Sequence, residues 1–192
     1  MDAKNPVHMP AEPTELCSLG VQFNTDKSPF RPLTYGRSHN YTPYYHQLFE
    51  GRRNSVKKVL EIGVAGGGSL RMWENYFPAA EVYGIDNNPD YLFNEGRIKT
   101  YLCDQNNEEQ LRNLMSQLGG NFDLILDDGS HEPSHQILSV NILMSYLAPD
   151  GIYIIEDVCH PHLVMPYLSA SAQFIERDTT VVSDDCLVII RR

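Results

Sequence analysis

Residues 56–69 read Val56-Lys-Lys-Val-Leu-Glu61-Ile-Gly63-Val-Ala65-Gly66-Gly67-Gly68-Ser69. Val56–Ile62 is a short apolar run that stops at glycines, as a buried strand does. Ser69–Tyr76 then reads as a helix, with Pro78 just beyond it. Strand, glycine turn and helix in that order open a βαβ unit, and the same alternation continues outward from it. Glu81–Ile85 is a second strand closed by Asp86, and Arg97–Cys103 a third ending at Asp104. The helix Glu108–Leu118 carries Leu111, Leu114, Met115 and Leu118 on one face. Asn121–Leu126 is a strand ending in Asp127-Asp128-Gly129, Ser134–Leu147 a helix, and Gly151–Ile155 a strand ending in Glu156-Asp157. Gln173–Glu176 and Cys186–Ile190 are too close for a crossover helix, so they form an antiparallel hairpin turning through Asp184-Asp185. The expected fold is α/β: a doubly wound, mostly parallel, seven-stranded sheet with a C-terminal antiparallel hairpin.

Upstream the character changes. Residues 1–55 hold six prolines between Pro6 and Pro43 and a row of aromatics from Phe23 to Phe49. They read as a loosely structured arm or lid with one helix near Thr42–Phe49, preceding a ligand-binding domain over 56–192. Aromatics that dense, Tyr35, Tyr41, Tyr44, Tyr45 and Phe49 among them, need a surface to pack on, so the arm is expected to cross the main body. The chain of 192 residues carries 15 Lys+Arg against 25 Asp+Glu, a formal charge of −10. That balance repels phosphate backbones and argues against nucleic-acid binding. No apolar stretch approaches the ~18 residues that span a bilayer, and the first thirty residues lack a signal-peptide layout. Four scattered cysteines suggest neither a disulfide framework nor a zinc knuckle, so a cytoplasmic protein is expected.

Carboxylates gather at one place. Asp86, Asp104, Asp127, Asp128, Glu156 and Asp157 all fall at C-terminal strand ends, the edge at which open α/β sheets bind ligands. In the loop after the first strand, four glycines in six residues allow a tight turn and a close ligand approach. The dinucleotide fingerprint needs glycine where Ala65 stands, and a P-loop would need Gly-Lys-Ser/Thr. Glu61 would repel a pyrophosphate but suits an ammonium group, and Asp86 is placed to accept from both ribose hydroxyls. Ammonium, ribose and adenine together describe S-adenosylmethionine. In this loop, and in the acid at the end of the second strand, the chain resembles the class I S-adenosylmethionine-dependent methyltransferases. The resemblance implies a cofactor site of Glu61, Gly63, Ala65, Gly66, Gly68, Ser69, Asp86 and Asn87, with Asp104-Gln105 bordering the adenine and Asp127 near the methionine end.

Asp128 and Glu156-Asp157 end strands that neighbour one another in a doubly wound sheet, roughly 4.8 Å apart. Three converging carboxylates need a cation or a proton. Hard oxygen ligands favour Mg²⁺, or Mn²⁺ and Ca²⁺, over zinc. His131, three residues past Asp128, can face the same spot and take a hydroxyl proton. Strand-end acids can also simply cap the helices that follow, the plainer reading. Asp128-Gly-Ser-His131 and Glu156-Asp157 are similar to the metal-dependent sugar O-methyltransferases of macrolide biosynthesis, the macrocin and mycinamicin type, and their placement resembles catechol O-methyltransferase. The resemblance extends to Asn24-Thr-Asp-Lys27 and His39-Asn-Tyr-Thr-Pro-Tyr44 and covers roughly residues 20–160. It implies that Asp128, Glu156 and Asp157 bind the metal and that His131 is the base. Lys27, Tyr41 and His160 are further candidates for the substrate or the lid.

The expected activity is therefore divalent-metal-dependent O-methyl transfer from S-adenosylmethionine to a hydroxyl of a small polyhydroxylated molecule, a sugar on a natural product. A non-catalytic S-adenosylmethionine-binding module is one alternative. An NAD(P)-dependent oxidoreductase is another, opposed by Ala65 and Glu61. A homo-oligomer is expected, because the short tail leaves the site without a wall. A folded-over arm would be the other source of one.

Overall fold

The computed structural model describes residues 12–32, 38–176 and 186–192, so Tyr35 and the Asp184-Asp185 turn lie outside the described residues. Among the described residues the first regular element is a helix that the density of prolines hides, α1 (Glu15–Gln22), started by Thr14, whose hydroxyl accepts from the amide of Cys17. Next comes α2 (Thr42–Phe49), with Pro43 in its first turn, where a missing N–H costs nothing. The alternating part runs β1 (Lys58–Ile62), α3 (Gly68–Tyr76), β2 (Glu81–Asp86), β3 (Asn94–Glu95), β4 (Ile98–Leu102), α4 (Glu108–Leu118), β5 (Phe122–Asp127), α5 (Pro133–Leu143), β6 (Leu147–Ile155), α6 (Pro161–Val164), β7 (Gln173–Glu176) and β8 (Cys186–Arg191).

Among the described residues these strands form one sheet in the order β3-β4-β2-β1-β5-β6-β8-β7. β1, β2, β4, β5 and β6 are mutually parallel, while β8 and β7 close one edge as the expected antiparallel pair. The eighth strand, absent from the sequence reading, is a two-residue antiparallel edge. It is held where Thr100 Oγ1 accepts from the Phe93 amide and donates to the Phe93 carbonyl, both at 2.6 Å. The helix read as Ser134–Leu147 stops at Leu143, followed by a 3₁₀ turn, and β6 begins at Leu147, which pairs with Phe122 across a register shift. Apolar periodicity cannot separate a helix end from a strand start when both are buried.

Strand residues alternate between two cores. Val59, Leu124, Leu126, Ile152, Ile154, Leu187 and Ile189 point to the face covered by α1, α2 and α3. Leu60, Ile125, Tyr153, Ile155, Val188 and Ile190 point to the face under α4 and α5. On the first face the arm is joined to the body by aromatic contacts. Tyr45 lies 5.7 Å from Trp73, which stacks on Phe77 at 5.6 Å, and Phe49 meets Phe77 edge-on at 5.4 Å. Tyr41, Tyr45 and Phe49 are fully buried, so the arm's aromatics do find their packing surface on the domain.

β1 runs to β2 on one side and is flanked by β5 on the other, which makes its C-terminal end the switch point of the sheet. The chain turns there at Gly63, with φ at +94°. A Cβ on Gly63 would stand 2.1 Å from the Asp128 carbonyl oxygen, so only glycine lets the two loops touch. Gly63→Ala should therefore cost roughly 2–4 kcal/mol of unfolding free energy, combining left-handed strain with overpacking. Gly66→Ala, which meets nothing within 4 Å, should stay within about 0.5 kcal/mol of the parent. Urea denaturation of the two variants measures the difference, and equal stabilities would contradict the close approach.

Candidate functional site

The edge of the sheet above β1, β2, β4 and β5 holds two adjoining cavities. One, about 270 Å³, is lined by Asp86, Asn87, Cys103, Asp104, Gln105, Ser130 and His135 among others. The second, about 460 Å³, lies between the glycine loop (Gly63–Gly66, Gly68 and Ser69), Asp128 and the arm residues Asn24, Thr25, Lys27 and Arg31. Gly63, Asp86 and Gly129 border both. The arm is seated tightly here, since a Cβ on Gly68 would lie 2.6 Å from the Phe23 carbonyl oxygen. The arm of the same chain thus forms one side of the second cavity.

Asp86 has a local duty that the sequence did not disclose. Its Oδ2 accepts from the amides of Val64 at 2.8 Å and Ala65 at 3.3 Å, and Oδ1 accepts from Asn88 at 2.9 Å, so it fixes the glycine loop while facing both cavities. Glu61 and Asp127 differ from expectation: both are fully buried, and neither lines either cavity. Glu61 accepts from Ser69 Oγ at 2.5 Å and Trp73 Nε1 at 2.9 Å, tying β1 to α3. Asp127 accepts from Gln105 Nε2 at 2.6 Å and Tyr153 Oη at 3.4 Å. Burial is the main cause that pushes each carboxyl up to about 7, against the pull of Lys27 on Glu61 and of the Gln105 amide on Asp127. A carboxyl that shares its oxygens with Ser69 and Trp73, and is partly neutral at pH 7, offers little to an incoming ammonium.

Beyond β5 and β6 lies the acidic centre. His131 Nε2 stands 3.2 Å from Asp128 Oδ1 and 3.7 Å from Asp157 Oδ2. One ligand atom from each of the three residues falls within 4.8 Å of the others. Two carboxylate oxygens converging so closely, with an imidazole nitrogen beside them, suit a divalent cation such as Mg²⁺ or Mn²⁺. Glu156, expected to complete that set, faces elsewhere. Its Oε2 accepts from Lys27 Nζ at 2.5 Å and its Oε1 from Tyr45 Oη at 2.6 Å. Lys27 Nζ also contacts Asp128 Oδ2 and lies 3.7 Å from Glu61 Oε1, in a position only 1% exposed. Tyr41 donates to Asp157 Oδ1 at 2.5 Å and stacks on His39. Lys27 and Tyr41, taken from the sequence as lid candidates, are therefore partners of the acids.

The charges around this centre sort by partner. Burial opposes the Lys27 ammonium, but Asp128, Glu156 and Glu61 outweigh it and raise its pKa well above the usual lysine range. Burial likewise opposes ionisation of Asp128, yet Lys27 and the His131 hydrogen bond hold its carboxyl at about 2. Burial raises Glu156 and Asp157, with Asp128 adding to both. The bond to Asp128 raises His131. Among the described residues, four of the five non-glycine positions at positive φ lie at this centre or the adjoining cavity: Asn24 (55°), Ala65 (43°), His131 (58°) and Asp157 (52°). Left-handed backbone at such residues costs of order 1 kcal/mol or more each and persists where the surroundings dictate it. His160 is not brought to the centre. It is exposed at the start of α6, 6.0 Å from His162. Arg31, Tyr91 and His135 line the cavities although nothing in their spacing signals the folded arm or the shared wall.

The family described as FtsJ-like methyltransferase matches residues 45–185. The chain is 40% identical over 151 residues to mycinamicin VI 2''-O-methyltransferase of Micromonospora griseorubida, covering 75% of this chain and 36% of that protein. It is 39% identical over 127 residues to 8-demethyl-8-α-L-rhamnosyl tetracenomycin-C 2'-O-methyltransferase of Streptomyces olivaceus, covering 62% and 33%. Among solved structures it resembles MycE methyltransferase from the mycinamycin biosynthetic pathway in complex with Mg, SAH and mycinamycin VI. The TM-score is 0.66 at 35% identity, over 80% of this chain and 42% of that one. The chain spans about a third of the length of the curated relatives it matches.

Glu61 and Asp127 make stability fall as pH rises. Glu61 and Asp127 bind protons in the folded state up to about pH 7, well above their unfolded values of 4.5 and 3.8. Between those limits the folded state holds more protons than the unfolded one, so stability is lost as pH rises from about 4 to above 7. Melting temperatures in EDTA should fall from pH 5 to pH 8, and Glu61→Gln should flatten that slope. A slope of the opposite sign, or one untouched by the substitution, would contradict the assignment.

Proposed function

Since the chain belongs to the FtsJ-like methyltransferase family, we propose that it transfers the methyl group of S-adenosylmethionine to a hydroxyl of a small polyhydroxylated acceptor, of the kind that a glycosylated natural product presents. The observation that carries this reading is a juxtaposition. A two-chambered groove around the glycine loop opens, through Asp128, directly onto a centre where Asp128 and Asp157 suit a divalent cation and His131 stands beside them. The chamber with Asn87, Asp104 and Gln105 takes the nucleoside. The chamber between the glycine loop and the arm takes the sulfonium end, and Asp86 on the shared wall meets the ribose. The rhamnosyl group in the name of one relative supports a sugar as the acceptor class.

When bound, Mg²⁺ or a similar cation would supply Lewis acidity to the acceptor hydroxyl. Asp128 and Asp157 would hold it, and the remaining work falls to the side chains of this chain. Tyr41 keeps Asp157 in place and Lys27 keeps Asp128 in place, so both carboxylates are aimed before any ligand arrives. When bound, S-adenosylmethionine would supply the methyl group to the acceptor oxygen and leave as a neutral thioether, and His131 takes the hydroxyl proton. The bond to Asp128 that raises the basicity of His131 then stabilises the imidazolium.

S-adenosylhomocysteine should raise the melting temperature and NAD⁺ should not. At a hundredfold excess over Kd the stabilisation is about 2.7 kcal/mol. A shift with NAD⁺ alone would sink the methyltransferase reading. In a screen of glycosylated metabolites with Mg²⁺, His131→Ala should lower kcat by roughly 10²–10⁴-fold at neutral pH, less so at alkaline pH where hydroxide substitutes. A higher KM at unchanged kcat would mean that His131 positions the acceptor instead.

A further inference from the structure

The arm delivers a single ammonium group into the acidic centre, and its placement is specific. Lys27 Nζ bonds one oxygen of Asp128, Oδ2, while Oδ1 of the same carboxylate faces His131 and the opening toward Asp157. The ammonium also holds Glu156 Oε2, and Tyr45 occupies Oε1. Asp128 is thus shared between a built-in cation on one edge and the candidate metal position on the other, and Glu156 is committed to the built-in cation. The main chain makes this arrangement rigid, because the Lys27 carbonyl accepts from the amides of Tyr41 and Thr42 at the start of α2. A lysine that merely satisfied its own burial would need one carboxylate, whereas this one is flanked by three.

We propose that the Lys27 ammonium is an internal competitor for the divalent cation, withholding Glu156 and one edge of Asp128 and so setting how tightly the centre binds metal. The inference rests on the metal reading above and extends it to a residue outside the donor set. Two cations drawing on one carboxylate weaken each other, and at the separations of a shared Asp the repulsion is worth at least an order of magnitude in affinity. Removing the ammonium adds one negative charge to the centre and releases Glu156 as a third carboxylate. The consequence is a positioning residue whose loss strengthens ligand binding rather than weakening it.

The test is Mn²⁺ titration of the metal-free full chain, followed by electron paramagnetic resonance, with Mn²⁺-induced melting shifts as a second readout and circular dichroism to verify folding. Lys27→Gln, which keeps polar atoms among the acids, and Lys27→Met should each bind Mn²⁺ about tenfold or more tightly than the parent. Their metal-free forms should melt lower and gain more on adding Mn²⁺. Lys27→Arg, which keeps the charge, should stay near the parent. The double variant Lys27→Gln/Glu156→Gln should lose most of the gain, since the freed carboxylate is gone. Folded neutral variants with unchanged or weaker Mn²⁺ binding would overturn the proposal. So would a gain that Lys27→Arg or the double variant fully reproduces. Absence of Mn²⁺ binding in the parent and all variants would overturn the metal reading and this inference with it. Parent binding that disappears in Asp157→Ala, beside neutral Lys27 variants that show no gain, would leave the metal reading standing and remove only the competitor.

Discussion

Five carboxylates reach the same end of three adjacent strands: Glu61 from β1, Asp127 and Asp128 from β5, and Glu156 and Asp157 just past β6. Taking that much negative charge out of water is possible only with protons, hydrogen-bond donors or a cation close by. Most of the unusual structure around the site answers this one requirement. Ser69 and Trp73 serve Glu61, Gln105 and Tyr153 serve Asp127, and the arm brings Lys27, Tyr41 and Tyr45 to the other three. The arm's aromatic packing on α3 is thus more than surface cover. It sets the position from which those donors reach inward.

The same crowding explains why the ligand groove and the acidic centre form one unit. The Asp128 amide donates to the Ile62 carbonyl at 3.0 Å and the Gly63 amide donates to the Ile85 carbonyl at 2.8 Å, so the ends of β1, β2 and β5 are stitched together. Asp86 holds the glycine loop from the side, and a Cβ on Gly129 would stand 2.3 Å from Gln105 Oε1. A ligand in the groove therefore rests on the same main chain that carries Asp128.

Much of this was legible in the order of residues. The alternation of strands and helices, the antiparallel closing pair and the gathering of acids at strand ends follow from periodicity and from the topology of parallel sheets. The cluster of Asp128, His131 and Asp157 was visible as spacing, because strand neighbours in such a sheet are known before the structure is. What spacing could not give was direction. Glu61, Asp127 and Glu156 were read as facing the ligand or metal, but each is turned to a buried donor that lies far away in sequence or across the sheet. Lys27 and Tyr41 were recognisable as special, but not as counter-groups to the acids. Helix α1 was missed because one threonine cap outweighs the prolines around it. β3 was missed because two residues carry no period.

The contact between Lys27 and Glu156 joins residues 129 apart, and that with Asp128 joins residues 101 apart. As the chain emerges from the ribosome, the arm comes first and waits through most of synthesis for the strands that hold its partners. Until β6 has been made, Tyr41 and Tyr45 have no acids to bind, Lys27 has only Glu61 and Asp128, and the aromatic row must shelter on α3 alone. Closure of such long loops is a late event in folding, because the entropy of bringing the ends together comes before the reward of contact. The acidic centre is accordingly completed late, and its partners meet only once β5 and β6 exist to hold them.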